Sequence, residues 1–306
     1  MAKHRLSALF LTLTLLLCSL PVSAAEGDDW LVPKVQEAPA FTDMAGVWCE
    51  GAVQTVCEAG LMQGRTAKQF DAVSQLTLAQ ITVIGARLYN LLTGGDGDIE
   101  SVPGAPWYQG SYDLLVEAGV LTEEFQAGSI LHWYDFSADD PCRRSFFVEL
   151  LGAVLEQSGT ELPELNVVTL IPDVQMDRTG YTYTYAFYRA GLLNGSDPYG
   201  GFHGTAYLTR GQAAAILARL VDPAQRQIFT PEPFDLCANV LGLEHSDVLL
   251  AVDGINITAE QMGGTLVRCL FYLSPEEGLN DAITQAAETI AARRLMEELD
   301  YTIDQG

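Results

Sequence analysis

RAGLLNG, residues 189–195, has two relatives in the same chain, EAGLMQG (58–64) and EAGVLTE (117–123), at spacings of 72 and 59 residues. Each couples Ala-Gly to two apolar residues. Val56, Leu115 and Phe187 stand four residues before the glycine, and Trp48 and Trp107 stand twelve before it. A glycine there fits a helix C-terminus, where a left-handed residue ends the hydrogen-bond ladder. A turn-rich segment and a second apolar-periodic stretch follow each copy: 76–92, 140–155 and 208–220. The unit is therefore helix, Ala-Gly turn, loop, capped helix, three times over. One helix pair cannot bury its own apolar stripe, so the three copies are expected to share a core, which predicts a mainly α fold.

The second helices carry start signals. Thr209 with Gln212 three residues on reads as a capping box, and Ala213, Ile216, Leu217 and Leu220 recur at helical spacing. Arg210 then becomes the first helical residue, where the helix dipole disfavours a cation by about 0.3–1 kcal/mol. Either it reaches a nearby acid along its aliphatic stem, or it meets an anionic ligand. In the second unit Asp140 reads as the cap, with Pro141 in the first turn. Asp43 and Asp173 read as helix caps, and Trp48 and Trp107 as core aromatics ahead of sugar platforms. Gly64 and Gly195 read as tight-turn residues.

Composition narrows the function classes. The chain has 306 residues and a formal charge of −24. It opens MAKHRLSALFLTLTLLLCSLPVSAAEG: two cations, an apolar run from Leu6 to Leu17, a breaking proline, then small residues. This reads as a secretory signal peptide, residues 1–25, removed on export. Losing Lys3 and Arg5 takes the charge to 14 − 40 = −26. Such a surface repels nucleic acid and anionic lipid, so an anion site has to be built from a few placed arginines. No later apolar stretch is long enough to span a bilayer. The remaining cysteines, Cys49, Cys57, Cys142, Cys237 and Cys269, show neither a disulfide framework nor a zinc spacing and read as mostly free thiols. No nucleophile elbow, zinc-protease helix, phosphate loop or dinucleotide fingerprint is present, and His132, His203 and His245 are isolated, so no enzyme, metal or cofactor is expected. GGDGDIE (94–100) alternates acids but lacks the rest of a calcium loop.

The segments FTDMAGVWCEGAVQTVCEAGLMQG (41–64), IPDV (171–174), YAFYRAGLLNGSD (185–197) and FHGTAYLTRGQAAAILARL (202–220) resemble S-layer homology modules. That pattern runs Phe-x-Asp-Val, a helix with an early Trp, Gly-Ile/Leu-x-x-Gly, then Phe, then Thr-Arg-x-Glu opening a second helix. The resemblance covers three modules, residues 40–95, 100–158 and 168–222. It implies a pseudo-threefold bundle docking on cell-wall polysaccharide, often a pyruvylated one, at the surface of an exported, non-enzymatic protein. What it implies for Arg210 is a ketal carboxylate held by two parallel hydrogen bonds. The glycan-binding residues it implies are Arg143, Arg210, Trp48, Trp107, Gly64 and Gly195. The arginine position holds Leu78 in the first module and Arg143, with Arg144 beside it, in the second. Gln80, Ser145 and Gln212 replace the acidic residue, and Thr179 stands where the third tryptophan would.

Three prolines in VDPAQRQIFTPEPFD (221–235) break the rhythm, and residues 223–246 read as a linker. Beyond it, an apolar strand to Val252, an Asp253-Gly254 turn and a strand with Ile255 and Ile257 predict a β-hairpin, followed by helices starting at Thr258 and Ser274. LAVDGINITAEQM (250–262) resembles the start of the N-terminal chaperone region of exported parvulin-type foldases. That resemblance implies, for residues 247–306, a peptide-binding segment without the isomerase domain. The alternative function is thus a truncated secretion chaperone for unfolded exported polypeptides, with the modules as scaffold.

Overall fold

The computed structural model describes residues 30–122, 137–174, 181–235, 238, 244–252 and 255–259. It is mainly α, with six α-helices among the described residues: α1 Glu50–Glu58, α2 Leu78–Leu92, α3 Gln109–Glu117, α4 Arg144–Ser158, α5 Thr184–Arg189 and α6 Arg210–Val221. No helix among them is long and apolar enough to cross a membrane. The segment read as a signal peptide, Thr179, His132, Cys237, Cys269 and the helices predicted after Thr258 lie outside the described residues.

The first helix of each unit ends as the heptads predict. Gly60, Gly119 and Gly191 have φ of +70°, +73° and +75°. The two residues after each glycine donate back to the carbonyl of Val56, Leu115 or Phe187, at 2.9–3.3 Å. Those three residues are fully buried, so one position supplies both the terminating acceptor and a core side chain. The second helices start where capping chemistry allows. Thr77 and Thr209 both form complete capping boxes, with Gln80 and Gln212 respectively. In the middle unit the predicted cap does not form. Asp140 accepts the Ser137 N–H, Pro141 bridges to Thr77, and α4 starts at Arg144 with Arg143 as an N-cap whose side chain makes no capping hydrogen bond.

The chain segments entering α2, α4 and α6 close into a ring. Leu76 N–H donates to the Leu208 carbonyl (3.0 Å), Leu208 N–H to that of Cys142 (2.9 Å), and Cys142 N–H to that of Leu76 (2.7 Å). Residues 76, 142 and 208 are evenly spaced, 66 apart. The first two N–H groups of each helix repeat the pattern outward. Leu78 and Ala79 donate to Asp140 and Ala138, Arg144 and Ser145 to Ala206 and Gly204, Arg210 and Gly211 to Ser74 and Ala72. Six helix-terminal donors that need partners are satisfied by the neighbouring unit's loop. Around this ring α2 packs on α3, α4 on α5 and α6 on α1. Ile81, Leu88, Phe147, Val154, Leu217 and Leu220 fill the shared core at zero or near-zero exposure.

Asp43 and Asp173 are not helix caps. Asp43 accepts the N–H groups of Phe70 and Asp71, and Asp173 those of Phe202 and His203. Each carboxylate thereby holds a bend whose second residue has positive φ, Asp71 at +61° and His203 at +52°. The two amide donors keep the Asp43 carboxyl below its ordinary pKa. Cys49, Cys57 and Cys142 are free and buried, and burial raises the Cys57 thiol to about 11.

The proline-rich segment after α6 is a strap rather than a free tether. Gln227 N–H donates to the Gly191 carbonyl, Asn166 brackets the strap by donating to the Gln227 carbonyl and accepting from Phe229 N–H, and Phe229 packs edge-on against Tyr188. Further on, Val248–Val252 (β1) and Ile255–Thr258 (β2) pair antiparallel, with Val252 opposite Ile255, as the sequence predicts.

Buried Glu149 on α4 accepts the Tyr183 N–H at the start of α5. Burial raises its carboxyl pKa, opposed by that bond and by Thr182. Because the folded value is raised, its contribution to stability is complete below the ordinary carboxylate range and lost as pH rises through the raised value. Glu149→Gln, which keeps the acceptor, is expected to gain stability relative to wild type at pH 7 and to lose that advantage near pH 4. Urea denaturation at the two pH values reads the difference; a gap that does not depend on pH would contradict it.

Candidate functional site

A cavity of about 340 Å³ opens where the first unit's Ala-Gly turn, the outer face of α2 and the start of α6 meet. Gln63, Gly64 and Arg65 form one wall, Gln80, Val83, Ile84 and Arg87 of α2 another, and Trp107 and Arg210 close it from the second and third units. On α2, Gln80, Val83, Ile84 and Arg87 follow i, i+3, i+4, i+7 and so share a face.

Arg210 holds the site together. At 7% exposure it is the most buried cation among the described residues. Its Nε donates to the Phe70 carbonyl (2.9 Å) and one terminal nitrogen to the Gln63 carbonyl (2.6 Å), while its guanidinium lies 4.6 Å from the Phe70 ring centre. The partners expected from sequence were a carboxylate of the protein or of a ligand; the protein supplies two neutral carbonyls and a π face. Desolvation, and then the charge of Arg65, lower its pKa. A guanidinium has five N–H donors, so three remain beyond these two bonds.

The other two cations are held differently. Arg65 pairs with Asp71 at 2.8 Å and contacts the Ser74 hydroxyl. Arg87 makes no hydrogen bond or ion pair among the described residues; desolvation lowers its pKa, and only the charge of Asp98 opposes that. Gly64 is required at the wall by space. A Cβ there would come within 2.4 Å of both the Phe41 ring and the Thr66 carbonyl.

Of the six residues singled out by sequence, the cavity gathers Gly64, Trp107 and Arg210. Trp107 is 62% exposed and Trp48 70%, so neither is a core residue. Trp48 precedes α1 as Trp107 precedes α3, but Trp48 does not line the cavity. Gly195 occupies in the third unit the turn position of Gly64, with φ +85° and Gly200 packed against it. The hydrogen-bond ring fixes the register of the helix starts, and the counterpart of Arg210 is Arg144, since Arg143 takes the N-cap place of Thr209. Arg144 lies over Phe202 at 5.6 Å, as Arg210 lies over Phe70, but its Nε is buried with no hydrogen-bond partner among the described residues.

Sequence reading missed Arg65 and Arg87. Arg65 directly follows the heptad glycine, and Arg87 shares the helical face of Gln80, so position relative to the repeat was the available signal.

Comparison with known proteins places part of this site. Residues 40–81 match the S-layer homology domain, a stretch containing the turn, Gly64, Arg65 and the first turn of α2, while Arg87, Trp107 and Arg210 come from outside it. Outer membrane protein alpha of Thermotoga maritima is 33% identical over 129 residues, covering 42% of this chain and 29% of the relative. The chain therefore spans less than a third of that relative's length. The relation is a distant homology. Within this chain the likeness to the S-layer homology domain thus lies in residues 40–81.

Proposed function

We propose that the chain is an exported, non-enzymatic cell-surface protein in which three S-layer homology modules, residues 40–95, 100–158 and 168–222, form a pseudo-threefold bundle on an acidic, pyruvylated secondary cell-wall polysaccharide. The observation that carries this reading is the cavity itself. In a chain of net charge −24, three arginines line one opening beside an exposed tryptophan and a glycine that brings backbone close. Long-range attraction of an anionic polymer to this surface is unfavourable, so binding depends on short-range contacts inside the cavity. Arg210 and its carbonyl partners fix the geometry, and Trp107 offers a flat apolar face to a sugar ring. Trp48, Arg143 and Gly195 serve related surfaces at the other junctions of the ring. The relative's name, an outer membrane protein, agrees with a place at the cell envelope.

Co-sedimentation with purified sacculi, before and after acid removal of secondary polysaccharide, tests the reading. Wild type is expected to pellet only with intact sacculi. Trp107→Ala, at an exposed position, is expected to keep the wild-type melting temperature and to lose most pelleting. Pelleting that survives acid treatment, or a folded wild type that stays in solution, would overturn the proposal.

A further inference from the structure

The second helices of the first and third units carry an arginine at matching places, Arg87 and Arg219, 132 residues apart, or twice the 66-residue spacing of the ring. Arg219 is tied down: it donates to the carbonyl of Leu192 in its own unit's turn (3.0 Å) and reaches the Asn194 side-chain oxygen at 3.5 Å. Arg87 makes neither contact, although Leu61 and Gln63 hold the corresponding places, and it lines the cavity. The same residue type is thus structural in one unit and unspent in the other.

The charges in the cavity follow from this difference. Arg65 is neutralised by Asp71 at 2.8 Å. Asp43, the other nearby carboxylate, is taken up by two backbone amides. Arg210 is satisfied by neutral carbonyls, and Arg87 only feels Asp98 without bonding to it. Two half-buried or buried cations therefore line one opening without a bonded counter-ion among the described residues. Each of the two is partly desolvated, so a ligand that neutralises only one leaves the other's desolvation uncompensated.

Resting on the anchoring function proposed above, we infer that this cavity selects a glycan segment presenting two negative charges, one to Arg210 and one to Arg87, over a segment with a single carboxylate. A repeat with two carboxylates or one with a phosphate monoester would both meet the requirement. A single ketal carboxylate would satisfy Arg210 alone. Arg87 is accordingly the specificity-determining residue, and Arg210 binds the charge that singly and doubly charged segments share.

Isothermal titration calorimetry on the full mature chain at pH 8 would compare methyl glucuronide (one charge), digalacturonate (two carboxylates) and glucose 6-phosphate, doubly charged above its second pKa of about 6. At least one doubly charged probe is expected to bind about tenfold or more tighter than methyl glucuronide, the scale of one added charge-assisted hydrogen bond. Which of the two gains more identifies the source of the second charge. Arg87→Gln is expected to bring the probes to within about twofold while leaving the melting temperature unchanged, a combination that a merely structural role would not give. Equal affinity of wild type for singly and doubly charged probes, no binding of any probe, or an undiminished preference in Arg87→Gln would each overturn the inference. Sacculus pelleting that stays polysaccharide-dependent in those cases leaves the anchoring function standing; its loss sinks that function separately.

Discussion

Arg210→Met is expected to lower unfolding free energy by about 2–4 kcal/mol and to abolish binding to polysaccharide-bearing sacculi. The thermodynamic part follows from two short bonds, to the carbonyls of Phe70 and Gln63, that span 140 and 147 residues of sequence. Methionine keeps much of the stem's volume but leaves both carbonyls without a charged donor, and an unsatisfied buried acceptor costs about 1–3 kcal/mol. The π contact with Phe70 is lost as well. Urea denaturation followed by tryptophan fluorescence measures the first effect. Pelleting at a urea-free temperature well below the transition measures the second. Arg210→Lys separates them: a point charge on a flexible stem can reach one carbonyl but not hold both, so stability is expected to fall less and binding to be weakened rather than abolished. A Met variant with an unchanged midpoint would show that the guanidinium does not bridge the first and third units in solution.

Gly191→Ala is the second large effect, and it acts through backbone rather than charge. The glycine sits at φ +75°, where a non-glycine residue costs about 1–2 kcal/mol, and an added Cβ would stand 2.6 Å from the Gln227 carbonyl oxygen. Backbone atoms cannot rotate aside as a side chain can, so the strap must lift. A total loss of about 2–4 kcal/mol is expected, combining left-handed strain with the contacts of Phe229 and Gln227. Lifting also uncovers Arg226, whose Nε is now bonded to the Arg219 carbonyl. Limited trypsin digestion is expected to cut after Arg226 in the variant well before wild type. Gly119→Ala is the control: it has the same positive φ, +73°, but meets only the far end of the Gln157 side chain at 3.6 Å. It should show the strain cost without the cleavage. Equal cutting of wild type and Gly191→Ala would mean that the strap is not held at that glycine.

Much of the helical frame was legible in the sequence. Helix stops at Gly60, Gly119 and Gly191, capping boxes at Thr77 and Thr209 and the Val252–Ile255 hairpin all depend on chemistry within a few residues of each other, and short-range chemistry is written contiguously. The misread positions share the opposite property. Asp43 and Asp173 have the residue type of helix caps, yet their partners lie 27 to 30 residues away. Asp140 has a good cap's chemistry, but the ring bond from Cys142 to Leu76 sets where α4 begins. Trp48 and Trp107 have the bulk of core residues, and the core was already filled by Phe147, Ile81 and their neighbours.

By itself the sequence determined a mainly α protein of repeated helix pairs, strongly acidic, with an arginine anomalously placed at the start of the third unit's second helix. Periodicity, turn glycines and net charge are properties of local segments or of sums, so they survive without coordinates. Only tertiary structure decided what that arginine meets, that Arg144 and not Arg143 is its counterpart, and that Arg65 and Arg87 join it around one cavity. Those facts depend on nine interlocking backbone hydrogen bonds between distant units. No local pattern encodes them, because each bond is made by groups every residue possesses.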